Sequence, residues 1–216
     1  MPKQLRFCLA AAVLAGSAAP TSNAALAAQA GDWLIRVGAT HVSPDTDSDE
    51  TPNVPAGSVD VDSDTSLGFT VGYMLTDHWG LELLGALPFE HDIQGAGSLS
   101  GVGTVGTTKH LPPVLSVQYH FQPSAKVRPY AGVGLNYTSF FDVEAKGVLD
   151  GQSLDLEDSW GLAAQVGADF DLSGRWFGNA DLRYIDINTE ASNPTTGTFD
   201  VEIDPWVFSL GIGTTF

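Results

Sequence analysis

Apolar and polar residues alternate along most of the chain, and the last segment shows the pattern most clearly. Every second position counted back from the C-terminus is apolar or Thr: Phe216, Thr214, Ile212, Leu210, Phe208 and Trp206. The positions between them are small or polar, apart from Val207. A repeat of two residues indicates a β-strand with two different faces. About ten residues let a tilted strand cross a bilayer, so this segment is predicted to span a membrane.

Eight runs with this two-residue repeat follow one another after residue 31. They cover residues 32–43, 66–76, 79–90, 112–122, 128–142, 159–172, 175–188 and 204–216. One set of alternate positions in each run is mainly apolar and is expected to face lipid, as Leu83, Leu87 and Phe89 do in the third run. Trp and Tyr lie near the ends of several runs. Such residues form the two interfacial belts of outer-membrane barrels, whereas a soluble β-sandwich does not require them.

The connections between the runs are alternately long and short. The short ones are residues 76–78, 122–127 and 173–174, and the long ones are residues 44–65, 91–111, 143–158 and 189–203. Outer-membrane barrels have short periplasmic turns and long extracellular loops, and an even number of strands leaves both termini in the periplasm. The predicted fold class is therefore all-β: an eight-stranded antiparallel transmembrane β-barrel with short periplasmic turns and long extracellular loops. Closure of the barrel removes the sheet edges.

The first 27 residues have the pattern of a secretory signal peptide. Two basic residues precede an apolar, alanine-rich stretch from Phe7 to Ala19. The small-x-small cleavage rule fits three places: Ala25-Leu-Ala27, which we prefer, Ser22-Asn-Ala24 and Ala28-Gln-Ala30. We therefore predict export, removal of residues 1–27 and a barrel domain over residues 28–216. The single cysteine, Cys8, lies in the segment that would be removed, so neither disulfide bonds nor thiol chemistry are expected.

The charge balance is strongly acidic. The chain has 9 Lys and Arg against 26 Asp and Glu, a formal net charge of −17. This balance argues against a nucleic-acid partner, because phosphate binding needs clustered Lys and Arg. The segment Asp45–Glu50 could offer oxygen ligands to divalent cations that also bridge lipopolysaccharide phosphates. It lacks the Gly and the distal Glu of an EF-hand loop, and a solvated acidic loop is the simpler interpretation.

No arrangement of residues predicts catalysis, a resident metal or a cofactor. The segment Gly101–Gly106 satisfies the G-x-G-x-x-G pattern, but it follows no predicted core strand and opens no predicted helix. We interpret it as a loop or a short β-extension above the membrane. The five histidines are scattered, without a visible acid–base–nucleophile arrangement. Of these, His110 is expected at the rim of the barrel and His120 near polar residues of its lumen.

Positions opposite the apolar sets point into the barrel, and those in its periplasmic half are mostly polar. The predicted plug consists of Arg36, Glu82, Gln118, Gln165, Asp169, Asp181 and Arg183, with His120 and Asn179 beside it. Charges buried in a membrane protein need partners. Arg36 and Arg183 are therefore predicted to pair with acids of this set, namely Glu82, Asp169 and Asp181. Such pairs would close a lumen that is already narrow in an eight-stranded barrel.

The extracellular half of the lumen is predicted to be apolar. Its expected lining consists of Leu84, Ala86, Pro88, Phe140, Ile185, Ile187 and Val207. This lining would form a funnel that a hydrophobic compound enters from outside. Pro88, Pro112 and Pro113 lie where the third and fourth runs approach a loop. Because proline cannot donate a ladder hydrogen bond, these three residues are candidates for a lateral gap in the wall. Ordinary strand ends that enter a loop are the alternative.

Several short segments carry a resemblance to a known family. They are LLGALPF at 83–89, HLPP at 110–113, RPYAGVGLNYTSFFD at 128–142, DSWG at 158–161, DPW at 204–206 and the terminal Phe216. In order and spacing the chain resembles the OmpW/AlkL family of small outer-membrane proteins, and Phe216 is similar to the C-terminal sorting signal of bacterial outer-membrane barrels. The resemblance implies passive passage of small hydrophobic compounds across the outer membrane of a Gram-negative bacterium, with lateral release into the bilayer. It implies nothing about their identity.

Two functions from different classes are consistent with these patterns. The first is a channel for passive uptake of small hydrophobic molecules, which enter the apolar upper lumen above the plug and leave sideways into the bilayer. The second is a non-conducting structural or adhesive barrel whose acidic loops contact partners or divalent cations. Outer-membrane lipids, lipopolysaccharide and the barrel-assembly machinery are expected partners in both cases. A polar network that fills the lumen to its top would favour the second function.

Overall fold

The structure, a computed structural model, describes residues 28–216, and the predicted signal peptide lies outside the described residues. These residues form fifteen β-strands and one 3₁₀ turn, Gly147–Leu149. The strands are β1 (Trp33–Ser43), β2 (Asp47–Ser48), β3 (Gly57–Val61), β4 (Asp64–Met74), β5 (Trp79–Ala86), β6 (Phe89–Gly97), β7 (Thr104–Leu111), β8 (Val114–His120), β9 (Val127–Ala145), β10 (Asp155–Leu156), β11 (Ser159–Ser173), β12 (Trp176–Ile185), β13 (Asn188–Asn193), β14 (Gly197–Glu202) and β15 (Trp206–Thr215). Within this part of the chain, no helix is long and apolar enough to cross a membrane.

Eight of these strands close into an antiparallel barrel. Their order around the barrel is β11-β12-β15-β1-β4-β5-β8-β9, and β9 pairs with β11 to complete the ring. The predicted fold class is therefore confirmed. Residues 75–78, 121–126 and 174–175 form short connections at one end of the barrel, which we call the turn end. The opposite end carries the long connections and is called the loop end.

The strand register separates a lipid-facing surface from the lumen. Val37 of β1 lies opposite Ile212 on one side and Phe69 on the other, and the exposed fractions of these three side chains are 41%, 56% and 45%. The neighbouring residue Arg36 points the other way and is only 4% exposed. Successive side chains of a strand alternate between its two faces, so the two-residue repeat of the sequence becomes an apolar exterior around a buried interior.

Aromatic pairs mark the two ends of the lipid-facing surface. At the turn end, the rings of Trp33 and Tyr73 have centroids 5.0 Å apart. At the loop end, the centroids of Tyr137 and Trp160 are 4.7 Å apart. Tyr184 and Trp206 make a similar contact beside them, at 5.4 Å. These belts match the two interfacial girdles of outer-membrane barrels, and they place the paired segments beyond Tyr137 outside the apolar layer.

Beyond the loop end, the long connections form further β-structure, which we call the extension. In it, β6 pairs with β3 and β7, and β7 pairs with the last residues of β9. A second sheet has the order β10-β13-β14-β2. The sequence predicted mainly loops in this region. The difference arises because apolar side chains at alternate positions bury one another in two further cores, which contain Ile93, Val105, Ala145 and Leu149, and Ala191, Phe199 and Val201.

The third predicted run, residues 79–90, is two strands instead of one. The buried positions of β5 are even-numbered, as for Leu84, whereas those of β6 are odd-numbered. The alternation shifts by one position at Leu87–Pro88, between the two strands. The prediction that Phe89 faces lipid is therefore wrong, since its side chain is only 1% exposed.

Candidate functional site

Arg36 of β1 holds one half of a buried polar layer near the turn end of the barrel. Its Nε and Nη2 atoms donate to the two carboxylate oxygens of Asp169, at 3.0 and 2.9 Å. Its Nη1 atom donates to Glu82 at 2.8 Å. A fork-shaped pair of bonds to one carboxylate fixes both position and orientation of the guanidinium group. Arg36 therefore ties β1 to β11 and β5 across the lumen.

Arg183 of β12 holds the other half of this layer. Its Nη2 atom donates to the second oxygen of Glu82 at 2.8 Å and to the side-chain oxygen of Gln165. It also lies 3.5 Å from Asp181. Glu82 therefore lies between two arginines, and the structure brings together the residues predicted for the plug. The remaining predicted member, Gln118, is buried on β8 opposite Gly132.

Two residues that were not predicted from the sequence, Tyr130 and Arg128, also bind acidic side chains of the lumen. Tyr130 donates its hydroxyl to Asp181 at 2.9 Å. Asn179, expected beside the plug, donates to Asp169 at 2.8 Å and to the Tyr130 hydroxyl at 3.1 Å. Arg128, also not selected, pairs with Asp171 at 2.5 Å. Even-numbered positions of β9 point inward, so strand parity was the signal that could have identified Tyr130 and Arg128.

The space left around this plug is small, and an apolar floor lies below it. The volume beside Arg36, Glu82 and Tyr130 is about 30 Å³, about the share of one molecule in liquid water. At the turn end, Phe177 packs with other buried apolar residues. The guanidinium carbon of Arg36 lies 5.6 Å from its ring centroid and that of Arg128 lies 5.2 Å away. These two layers fill this part of the lumen with packed side chains.

An apolar cluster lies above the plug. Its buried members are Val42, Leu84, Phe89, Val114, Ala163, Ile185, Ile187 and Val207, and Ala86, Phe140 and Ile203 pack against them. Six of the seven residues predicted to line the upper lumen thus share one cluster, where they pack against each other. Pro88 does not join them, because it lies where the alternation shifts and its side chain is exposed. Its prediction as a lining residue is wrong.

The wall of the barrel is interrupted beside this cluster. The ladder between β5 and β8 ends at the pair Leu84–Val114, and the ladder between β6 and β7 begins at Phe89–His110. Between these points, residues 85–88 and 111–113 do not pair with each other, and these two stretches contain all three prolines predicted for a lateral gap. Each stretch stays hydrogen-bonded to the strand on its other side. Leu87 donates its N–H to the carbonyl oxygen of Leu67, and the carbonyl oxygen of Pro113 accepts from the N–H of Tyr137. The interruption therefore lies specifically between the two proline-containing stretches.

A larger cavity lies above the apolar cluster, within the extension. Its volume is about 190 Å³, compared with roughly 150 Å³ for an apolar cavity that binds benzene. Ile93, Leu149 and Phe199 are among its mostly apolar lining. Val148 also lines it and is 62% exposed, so one side of the cavity reaches the surface of the protein. Its size and lining suit a one-ring aromatic compound or a short alkyl chain.

The side chains of His91 and His110 belong to the lining of this cavity. Their ring centroids are 4.8 Å apart; Phe89 lies beside both rings, and Phe140 lies beside the ring of His110. The expectation that His110 is a rim residue is wrong, since it is 5% exposed. Burial lowers the pKa of His91, and burial together with the neighbouring His91 lowers the pKa of His110 to about 3. Both rings are therefore neutral at pH 7.

The other predicted features lie apart from this cavity. Within Asp45–Glu50, backbone pairing joins Asp45 to Ile203 and Asp49 to Asp200, and the described residues include no cluster of three or more side chains suited to a metal ion. Gly101–Gly106 contains a turn and the start of β7. His120 is buried beside Tyr130, with ring centroids 5.4 Å apart. Phe216 bonds through its backbone to Trp33 and exposes its side chain.

Comparison with known proteins extends these observations. The sequence profile of the OmpW family matches residues 29–216. Outer membrane protein W of Vibrio cholerae serotype O1 is 44% identical over 211 residues, covering 94% of this chain and 97% of that protein. The dibenzothiophene metabolism operon protein PahQ of Pseudomonas aeruginosa is 32% identical over 195 residues, covering 88% and 90%. The crystal structure of the outer membrane protein OprG from Pseudomonas aeruginosa superimposes with a TM-score of 0.81 at 37% identity, covering 88% and 98%.

Proposed function

Because this chain belongs to the OmpW family of outer-membrane β-barrels, we propose that it admits small hydrophobic molecules passively from the extracellular side. The molecules enter the cavity of the extension and leave sideways into the outer-membrane bilayer. The observation that carries this proposal is the order of layers along the barrel axis. A polar plug blocks the turn end, whereas an apolar cavity of about 190 Å³ reaches the surface at the loop end.

The plug makes straight passage through the barrel unfavourable for these molecules. Glu82 and Asp169 are each about 1% exposed and bond to arginines across the lumen. A hydrophobic solute would have to separate these buried ion pairs, and an unpaired buried charge costs several kcal/mol. Such a solute would instead stay above the plug, among apolar side chains, where transfer from water is favourable.

The interruption between the two proline-containing stretches supplies a sideways exit. It begins directly beyond Leu84 and Val114, which belong to the apolar cluster below the cavity, at the loop-end border of the lipid-facing surface. No ladder hydrogen bonds join these two stretches to each other, so only side chains have to move. The name of the relative PahQ refers to dibenzothiophene metabolism, and dibenzothiophene is itself an apolar aromatic compound. That name agrees with a hydrophobic cargo for this chain.

Uptake measurements with a filled cavity test the proposal. Ala191 lines the cavity and is 4% exposed, so Ala191→Trp places a large apolar side chain there without adding charge. Ala164→Trp is the matched control, because Ala164 is on the exposed, lipid-facing side of β11. Cells that carry each variant would be compared for accumulation of labelled octane and toluene at equal surface levels of folded barrel.

We expect Ala191→Trp to reduce accumulation to the level of cells that lack the protein, whereas Ala164→Trp should behave like the unsubstituted chain. A less bulky change, Ala191→Leu, should give an intermediate rate. If Ala191→Trp at normal surface levels left accumulation unchanged, the cavity would not be on the route, and the proposal would be abandoned.

A further inference from the structure

The His91–His110 pair is unusual because two side chains that line a mostly apolar cavity each carry a buried nitrogen atom without a hydrogen-bond partner. Nε2 of His91 and Nδ1 of His110 are buried and have no hydrogen-bond partner, and the two side chains are 2% and 5% exposed. A buried polar atom without a partner costs roughly 1–3 kcal/mol. Such an atom in a native structure calls for an explanation, and a ligand is one.

The threonines that line the same cavity differ from the histidines. Thr189 donates its hydroxyl to the carbonyl oxygen of Glu157, and Thr195 donates to Gln152, both at 2.7 Å. Unpartnered nitrogens also occur in the plug, on Gln118, Gln165 and Arg183, but there they lie in a filled layer of charged groups. Among the described residues that line the cavity, only the two histidines have buried side-chain nitrogen or oxygen atoms without partners.

The hydrogen bonds of His91 define what kind of ligand atom it needs. Its Nδ1 atom lies 2.5 Å from the carbonyl oxygen of Asp62. A carbonyl oxygen only accepts hydrogen bonds, so in the neutral ring Nδ1 carries the proton and Nε2 has a lone pair. His91 therefore needs a donor from the ligand. A neutral His110 can offer either a donor or an acceptor, depending on its tautomer.

A hydroxyl group meets both requirements, because it donates one hydrogen bond and accepts others. We propose that His91 and His110 form a subsite for the hydroxyl group of a small apolar alcohol or phenol, with the hydrocarbon part lying against Ile93, Leu149 and Phe199. The inference rests on the proposed function, since the same cavity must hold the compound. A carboxylate fits poorly: it has no proton to donate to His91, and Asp62 and Asp64 lie nearby.

Small rotations of the rings make this contact possible. The χ2 torsion of histidine has a broad energy minimum, so the buried free nitrogens can turn toward a bound hydroxyl; for His91 the rotation stays small, because its Nδ1 remains hydrogen-bonded to Asp62. The flanking rings of Phe89 and Phe140 keep the imidazoles in the wall, at centroid distances of 5.6 and 6.0 Å from His110. The two histidines would thus favour those hydrophobic compounds that carry one hydroxyl group.

Binding of two ligands of matched shape tests the subsite. The full barrel in lipid nanodiscs would be titrated with 4-ethylphenol and with 4-ethyltoluene, which has a methyl group in place of the hydroxyl, and with 4-ethylbenzoate. Binding to empty nanodiscs is subtracted. The variant His91→Phe/His110→Phe keeps both rings and removes their nitrogens. The control His41→Phe removes an exposed histidine outside the cavity, and nitrogen chemical shifts of the imidazoles report direct contact.

We expect the double variant to bind 4-ethylphenol about tenfold more weakly, the effect of one or two net hydrogen bonds. Its affinity for 4-ethyltoluene should change less than twofold, and His41→Phe should change neither. Loss of 4-ethylphenol binding with no shift of either imidazole signal would overturn the subsite, and so would an unchanged affinity in a folded double variant. Tighter binding of 4-ethylbenzoate than of 4-ethylphenol would overturn it as well.

Failure of the subsite is distinguishable from failure of the cavity. If the unsubstituted protein bound 4-ethylphenol and 4-ethyltoluene equally, and Ala191→Trp abolished both, the cavity would stand and the histidine subsite would be wrong. If neither compound bound above the empty nanodiscs, the proposed function would fail together with the inference. Circular dichroism and the mobility of the unheated barrel in gel electrophoresis establish that each variant is folded.

Discussion

The plug is built from inward-facing strand residues, whereas the cavity is lined by residues of both strands and loops, and the two regions differ in volume and chemistry. The space beside the plug measures about 30 Å³, whereas the cavity measures about 190 Å³. Every carboxylate of the plug is bonded to an arginine, a tyrosine or an amide. The free nitrogens of the cavity have no such partner. Carboxylates bonded across the lumen therefore go with a filled layer, whereas a mostly apolar lining goes with an open space.

The difference also determines what each region contributes. In the plug, Glu82 bonds to arginines from two other strands, so its charge links β5 to β1 and β12. Removing one member leaves a buried charge without its partner, which is much more costly than losing an exposed ion pair. In the cavity, apolar contacts are non-directional and leave space for a guest. Stability should therefore respond most to changes in the plug, and uptake to changes near the cavity.

The largest effect is expected from Arg36→Met. The substitution keeps much of the side-chain volume but leaves Asp169 and Glu82 without this partner in a layer where both are about 1% exposed. Loss of one member of a buried ion pair costs roughly 3–5 kcal/mol. We expect the free energy of unfolding to fall by about that amount when the barrel is unfolded by urea from lipid vesicles.

Arg175→Met is the matched control for this prediction. Arg175 is exposed in the turn before β12, where its guanidinium carbon lies 4.9 Å from the centroid of the Phe216 ring. Its replacement should change stability by less than about 1 kcal/mol. Equal effects of the two substitutions would mean that the buried pairs of Arg36 add no more stability than an exposed contact.

A second prediction concerns Tyr130→Phe. The substitution removes the hydroxyl that donates to Asp181 and accepts from Asn179, and it leaves the ring in place. Hydrogen bonds to charged groups are worth roughly 1.5–3 kcal/mol, so a loss of about 2 kcal/mol is expected in the same urea experiment. Tyr119→Phe, at an outward-facing tyrosine that contacts Trp79 in the aromatic belt of the turn end, is the control and should have a smaller effect. If Tyr130→Phe left the free energy of unfolding unchanged, Asp181 would not depend on this donor.

The barrel itself could be predicted from the sequence because one rule governs all of it. Lipid on one side and a packed lumen on the other force an alternation of two residues, and eight such runs with short and long connections leave few other folds. The ion pairs of Arg36 and Arg183 could be predicted for the same reason. Buried charges need partners, and strand parity placed those partners at the same level.

The cavity was harder to predict because the inward-facing positions change from even-numbered to odd-numbered residues where the chain enters the extension. The chain shifts by one position at Leu87–Pro88, so Phe89 and His91 point inward although the preceding strand buries its even-numbered residues. A proline adjacent to the shift was visible in the sequence, but the shift itself depends on how β6 pairs with β3 and β7. The apolar residues of the long connections are spread among Gly, Thr and Asp, and only their tertiary pairing shows that they share a core.

A third prediction uses acid to separate the extension from the barrel. Burial keeps the pKa of His110 at about 3 in the folded protein, below its ordinary value of about 6.5. In this pH range the unfolded extension binds a proton at His110 that the folded extension does not bind. The stability of the extension is therefore greatest above pH 6.5 and falls as the pH drops from 6.5 toward 3. At pH 5.5 the loss from His110 should be on the order of 1 kcal/mol.

The lowered pKa of His91 acts in the same direction, and the acids near the two rings, Asp62 and Asp64, oppose it only partly. Hydrogen exchange of the amides of β6 and β7, corrected for the intrinsic exchange rate at each pH, measures the effect. In His91→Phe/His110→Phe this dependence on pH should largely disappear. Amides of β15 in the barrel provide the internal reference. Equal acid sensitivity of the unsubstituted protein and the double variant would contradict burial of neutral imidazoles.

The smallest effect is expected where the wall is interrupted, from Pro88→Ala combined with Pro112→Ala. Each substitution supplies an N–H group that proline lacks, so the stretches 85–88 and 111–113 gain the ability to pair. One additional net hydrogen bond of about 1 kcal/mol would favour a closed wall about fivefold. Accumulation of octane should fall by a similar factor while binding of 4-ethyltoluene in the cavity stays unchanged.

Pro123→Ala, in a short connection at the turn end, is the control. A fall in both uptake and binding would place the defect in the cavity instead of the wall, and unchanged uptake in the folded double variant would mean that molecules leave the barrel by another path.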